Sequence, residues 1–149
     1  MSGICREYRV PPACITIEVT ESISAMNGEQ LQQLIQELGE RGFSISLDDF
    51  GSQFSNLSIL SELDFDEVKF DRSLVSSLEE SRKSRVILKN CIDLCHDLEG
   101  THALAEGIET EGQLELLNRF HCDYGQGYYF SKPLPKEGVE AILEQGTCQ

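Results

Sequence analysis

Five times along this chain, a short run of alternating apolar and polar residues gives way to a stretch whose apolar positions recur every three or four residues. Strict alternation fits a strand with one buried face, and the longer period fits an amphipathic helix. The first run, 13–20, sets Ile15, Ile17 and Val19 on one side. Leu31, Leu34, Ile35 and Leu38 then mark a helix that Asn27 and Gln30 open as a capping box and that stops near Gly42. A second strand, 43–49, precedes a short helix around 54–63. A third, 67–70, precedes one long helix over 72–98 with a buried stripe of Leu88, Cys91, Ile92 and Cys95. The fourth, 102–105, leads to a second capping box, Thr110 with Gln113, and a helix burying Leu114, Leu117 and Phe120. The fifth, 124–130, is followed by a helix that opens at Pro135 and carries Val139, Ile142 and Leu143.

Strands alternating with helices predict a parallel sheet with helical crossovers, whose chemistry gathers at the carboxyl ends of the strands. Five such units fall short of the eight that close a (β/α)8 barrel. The pattern therefore predicts either a small open α/β sheet or part of a TIM-like barrel.

Composition narrows the function. The 149 residues fit one domain with a proper core. Against 26 acids stand 12 basic residues, a net charge of −14 that repels nucleic-acid polymers and anionic membranes. No run approaches the roughly 20 apolar residues of a membrane-spanning helix. The opening MSGICREYRV has no apolar signal core, so a cytoplasmic location is expected, with any membrane anchor left to other domains of a parent protein. The six cysteines have no zinc spacing. Cys91, Cys95 and His96 could face a metal from one helix, but the helix reads as core and its thiols as buried and reduced.

The strand ends carry the chemistry. In order they read Glu18 to Glu21, Asp48-Asp49, Lys69 with Asp71, Glu106 to Glu109, and Gln126 onward. Two adjacent carboxylates such as Asp48 and Asp49 repel each other unless a cation sits between them. One such acid alone reads as a solvated loop residue or helix cap. Five polar ends in succession on one face read as a site. Oxygen ligands without histidine suit Mg²⁺ or Mn²⁺, and a lone lysine among them can hold a phosphate oxygen or a water.

The runs EVTES (18–22), DDFGS (48–52), EVKFDR (67–72), AEGIET (105–110) and QGYYFSKPLP (126–135) resemble, in order, the motifs of the EAL-domain cyclic di-GMP phosphodiesterases. The resemblance covers about residues 13–145, with residues 1–12 as an N-terminal extension and 13–149 as the C-terminal portion of an EAL domain. It implies a TIM-like barrel that hydrolyses cyclic di-GMP to linear pGpG with two divalent metals, Mg²⁺ or Mn²⁺. By motif, Glu18, Asp48 and Asp49 resemble metal ligands, and Lys69 the residue that orients the attacking water or a phosphate oxygen. Glu106 resembles a metal ligand or general base, Gln126 a site-organising amide, and Glu109 a supporting acid. Glu21 resembles the acid that tethers the loop after Asp49.

Two departures qualify the match. The Glu-Ala-Leu segment and a metal-binding Asn, which the family carries ahead of EVTE, have no counterpart in residues 1–12. About three barrel units and their ligands are therefore expected to be missing, leaving this piece weak or inactive alone. Gln53 also stands where the loop after Asp-Asp-Phe-Gly usually carries a small residue. The alternative reading is a truncated EAL-like module that binds cyclic di-GMP or a partner protein without catalysis. Open barrel edges would favour a homodimer or such a partner. A kinase reading of Asp49-Phe50-Gly51 fails, because the chain has no glycine-rich loop, Val-Ala-Ile-Lys or His-Arg-Asp.

Overall fold

The computed structural model describes residues 2–20, 28–52 and 57–144. Helix α1 (Ser2–Tyr8) and a 3-10 turn (Pro12–Cys14) lead into β1 (Thr16–Thr20). There follow α2 (Gly28–Glu40), β2 (Ser44–Phe50), α3 (Ser58–Glu62), β3 (Glu67–Phe70), α4 (Arg72–Ser76) and α5 (Arg82–Asp97). The chain continues through β4 (His102–Ala105), α6 (Glu111–Arg119), β5 (Tyr124–Gly125) and α7 (Lys136–Glu144). Among the described residues no helix is long and apolar enough to cross a membrane.

The five strands form one parallel sheet in the order β1-β2-β3-β4-β5. Each strand lies beside its predecessor and nowhere does the order reverse, unlike a doubly wound sheet. Crossovers of one hand then place the helices on one side, as in a barrel wall. Val19, Ile45, Leu47, Val68, Phe70, Ala103 and Ala105 form the buried side of the sheet. They pack with Leu31 and Ile35 of α2, Leu88, Ile92 and Cys95 of α5, and Leu117 of α6. Cys5 of α1 joins the same core, so the first helix packs with the domain. The other side, by register, carries Glu18, Ser46, Glu67, Lys69 and Leu104.

Three expected elements differ. The single helix over 72–98 is two, α4 and α5. Asp71 caps the first by accepting from Ser73 N–H at 2.9 Å, and Ser81 caps the second by accepting from Ser84 N–H at 3.1 Å. Leu78 is buried in the turn between them, and Arg85 donates to its carbonyl at 2.7 Å. Serines that can bond locally to the backbone favour such breaks over a continuous helix. The fifth strand stops at Gly125 because residues 126–129 wrap round Ile108, whose N–H donates to Gln126 O and whose carbonyl accepts from Tyr129 N–H. The first strand starts at Thr16, behind the 3-10 turn. The Asn27 cap and the start of the helix at 54–56 lie outside the described residues. The Thr110–Gln113 capping box is formed in both directions.

A device without a sequence signature recurs at the other end of the sheet. Asp66 and Asp123, each just ahead of a strand, accept a backbone N–H from the preceding strand: Ile45 at 2.7 Å and Ala103 at 2.8 Å. Each also donates its own N–H back across the gap, extending the ladder by one rung.

Candidate active site

Alternation along parallel strands in fixed register brings residues far apart in sequence to one end of one face. Lys69 on β3 is the centre. Its Nζ donates to Glu18 Oε1 on β1 at 2.6 Å, and lies 3.0 Å from Asp48 Oδ1 on β2 and 2.7 Å from Glu106 Oε1 just past β4. Gln126, after β5, donates to Glu106 Oε1 at 2.6 Å. Every strand of the sheet thus contributes one member at or just beyond its carboxyl end.

Lys69 is 6% exposed, and an ammonium so placed needs oxygen partners. Burial pulls its pKa down, but the contacts with Glu106, Glu18 and Asp48 outweigh that and hold it above the usual lysine value. It therefore stays an ammonium at neutral pH, able to donate hydrogen bonds and unable to accept a proton. Three carboxylates against one ammonium leave a formal excess of two negative charges in the ring.

The Asp48-Asp49 pair is shaped by a bulge. Leu47 faces Val68 and Phe50 faces Phe70, so two residues of β2 stand against Lys69 alone. Asp49 takes up the extra length with φ 59°, a left-handed conformation that aspartate tolerates better than most residues. The bulge splits the pair, turning Asp48 into the ring and leaving Asp49 exposed at its rim. Gly51 continues the turn at φ 91°, where a Cβ would collide with the Leu74 side chain.

Glu109 stands apart from the ring, ion-paired at 2.6 Å with Arg72, a residue to which the motif reading gave no role. The two line a cavity of about 460 Å³ beside Glu106 and Gln126, together with Tyr128 and Lys132. Lys132 Nζ lies 5.8 Å from the centre of the Tyr128 ring, within cation–π range. Glu21 and Gln53 lie outside the described residues. Of the helical thiols, Cys95 is buried and Cys91 partly so, and burial pushes the Cys95 thiol up to about 12.

Hard oxygen donors and an excess of negative charge around a buried Asp48 carboxylate are the chemistry that suits a divalent cation such as Mg²⁺ or Mn²⁺. Among the described residues, however, no three acids, histidines or cysteines form a group that could hold a metal. Where three acids do converge, the cation is Lys69.

Comparison with known proteins agrees on one family. The sequence profile of the EAL domain matches residues 2–133. The cyclic di-GMP phosphodiesterase NbdA of Pseudomonas aeruginosa is 39% identical over 132 residues, 88% of this chain and 17% of that protein. The chain spans less than a fifth of the length of such curated relatives. The crystal structure of the EAL domain of Mycobacterium smegmatis DcpA superposes with a TM-score of 0.92 at 32% identity, covering 99% of this chain and 66% of that one. Klebsiella pneumoniae BlrP1, in a complex with manganese and cyclic di-GMP, gives a TM-score of 0.79 at 31% identity over 85% of this chain and 32% of that one. With the sheet order, the strand-end ring and these matches in agreement, the chain belongs to the EAL-domain family.

Proposed function

We propose that the ring around Lys69 is part of a cyclic di-GMP phosphodiesterase site, opening one phosphodiester to give linear pGpG. The observation that carries this reading is the convergence of Glu18, Asp48 and Glu106 within 3.0 Å of one ammonium at the carboxyl end of the sheet. Glu18, Asp48, Asp49 and Glu106 would hold divalent ions, Mg²⁺ or Mn²⁺. Bound there, such ions would polarise the phosphate and supply hydroxide near neutral pH. The other tasks belong to the chain. Lys69, fixed as a cation, donates to a phosphate oxygen or positions a water. Gln126 holds the Glu106 carboxylate in place through its 2.6 Å bond. Glu109 keeps Arg72 at the wall of the adjoining cavity. Glu21 is proposed to tether the loop after Asp49.

The relatives support the chemistry. BlrP1 is held in a complex with manganese and cyclic di-GMP, and NbdA is a cyclic di-GMP phosphodiesterase. The 149-residue chain alone is proposed to be weak, because Lys69 occupies the point where Glu18, Asp48 and Glu106 converge and a divalent ion must compete with it for their oxygens. That observation also favours a second reading, a module that binds cyclic di-GMP without turning it over. Incubation with cyclic di-GMP and Mn²⁺, followed by chromatography for pGpG, tests the first reading. At most trace product is expected, lost in Asp48→Asn; product formed equally well by Asp48→Asn would place the chemistry elsewhere.

A further inference from the structure

Ser46 is buried completely, with 0% exposure, and its Oγ has no hydrogen-bond partner. It lies on the inner face of β2 two residues before Asp48, directly across from Glu18 on β1 and from Glu67 on β3. Asp48 Oδ1, also buried, meets Lys69 Nζ in an ion pair at 3.0 Å and has room for one further donor. A buried hydroxyl left unbonded is costly, and native proteins rarely keep one. The register neighbours Glu18 and Glu67 and the nearby Asp48 make the surroundings polar on three strands, the setting in which buried water is kept. Residues two apart on a strand stand roughly 6–7 Å apart at Cα, a gap that a single water spans with two hydrogen bonds.

We propose that Ser46 is a positioning residue for Asp48, acting through one buried water. The hydroxyl donates to the water, and the water donates to Asp48 Oδ1. Its second proton is directed to Glu18 or Glu67, which flank Ser46 in register. The carboxylate is thereby held in the orientation that meets Lys69, and a cation that takes Asp48 as a ligand finds it already placed. The effect on cation binding rests on the reading of the ring as a metal-dependent site; the link between Ser46 and Asp48 does not.

The alternative is that Ser46 is only a small residue beneath the Lys69 side chain. The two accounts differ in sign. Removing an unused buried hydroxyl leaves a protein as stable as before or more so, whereas removing one that holds a water in place weakens it. Thermal unfolding in EDTA is measured for the wild type, Ser46→Ala, Asp48→Asn and the double variant, and Mn²⁺ affinity is measured by calorimetry on the same four. Ser46→Ala is expected to lower the midpoint by about 2–4 °C and Mn²⁺ affinity several-fold, with both effects much smaller in the Asp48→Asn background. An unchanged or raised midpoint for Ser46→Ala, or an equal loss with and without Asp48, overturns the proposal. If Asp48→Asn leaves Mn²⁺ binding untouched, the metal reading fails, while the thermal cycle still decides the positioning role. A crystal structure supplies a check free of folding effects. Density for a water shared by Ser46 Oγ and Asp48 Oδ1 supports the proposal, and a Ser46 hydroxyl bonded to the protein instead contradicts it.

Discussion

At Lys69 one ammonium meets carboxylates at the ends of three other strands, and taking it away removes the cation they share. Lys69→Met is expected to cost about 3 kcal/mol, as removal of one partner from a buried ionic group does. Urea unfolding at low ionic strength measures it. Mn²⁺ should recover more of the stability of this variant than it adds to the wild type, since the ring then lacks its own cation. Asp123, at the opposite end of the sheet, carries a pH dependence. Burial pushes its pKa up, but the Ala103 N–H and the His96 ring at 3.1 Å pull it below the usual aspartate value. A carboxylate with a depressed folded pKa contributes stability above its unfolded pKa and loses it as pH falls through the folded one. Wild-type stability should therefore drop more steeply below about pH 4 than that of Asp123→Asn; parallel acid-unfolding profiles would count against this assignment. The sequence showed Asp48 and Asp49 only as neighbours. Which of them turns inward depends on a bulge against β3, a property of two paired strands that one strand's residues do not encode.

Elements whose signals are local were legible. The Thr110–Gln113 box, the stop near Gly42 and the third and fourth strands follow from residues within one turn or one strand. The break between α4 and α5 was not, because the helical period runs on through Ser77 and Ser81 while local caps and the burial of Leu78 interrupt the backbone. The early end of β5 was also hidden, since it depends on Gly127 meeting Ile108, some twenty residues away in the chain. There a Cβ on Gly127 would run into the Ile108 backbone, which cannot move aside as a side chain can. Gly127→Ala is therefore expected to destabilise the chain by about 2 kcal/mol or more in denaturant titration, and to loosen Gln126 from Glu106. An alanine variant as stable as the wild type would show that the 126–129 wrap has another arrangement.

On the scale of the molecule, the sequence limited the chain to parallel βα units but left an open sheet and a barrel sector both standing. The unreversed strand order separates them, and order is set by packing among all five units, beyond the reach of any local pattern. That order leaves β1 and β5 each with one neighbour among the described strands, with Tyr124, Tyr128, Tyr129 and Phe130 exposed near one edge. Edge strands and exposed aromatics favour pairing, and we propose that a second copy of the chain packs on the exposed aromatics. Light scattering should report dimers or larger species, and a monomer at every concentration would rule that out.

The most direct test of the central claim is calorimetric titration of the 149-residue chain with cyclic di-GMP, with and without Mn²⁺, alongside Asp48→Asn and Glu106→Gln. If the Lys69 ring is the cyclic di-GMP site, binding will require Mn²⁺ and will be lost in both variants. Binding that is indifferent to Mn²⁺ and to both substitutions, or no binding by the wild-type chain, would contradict it.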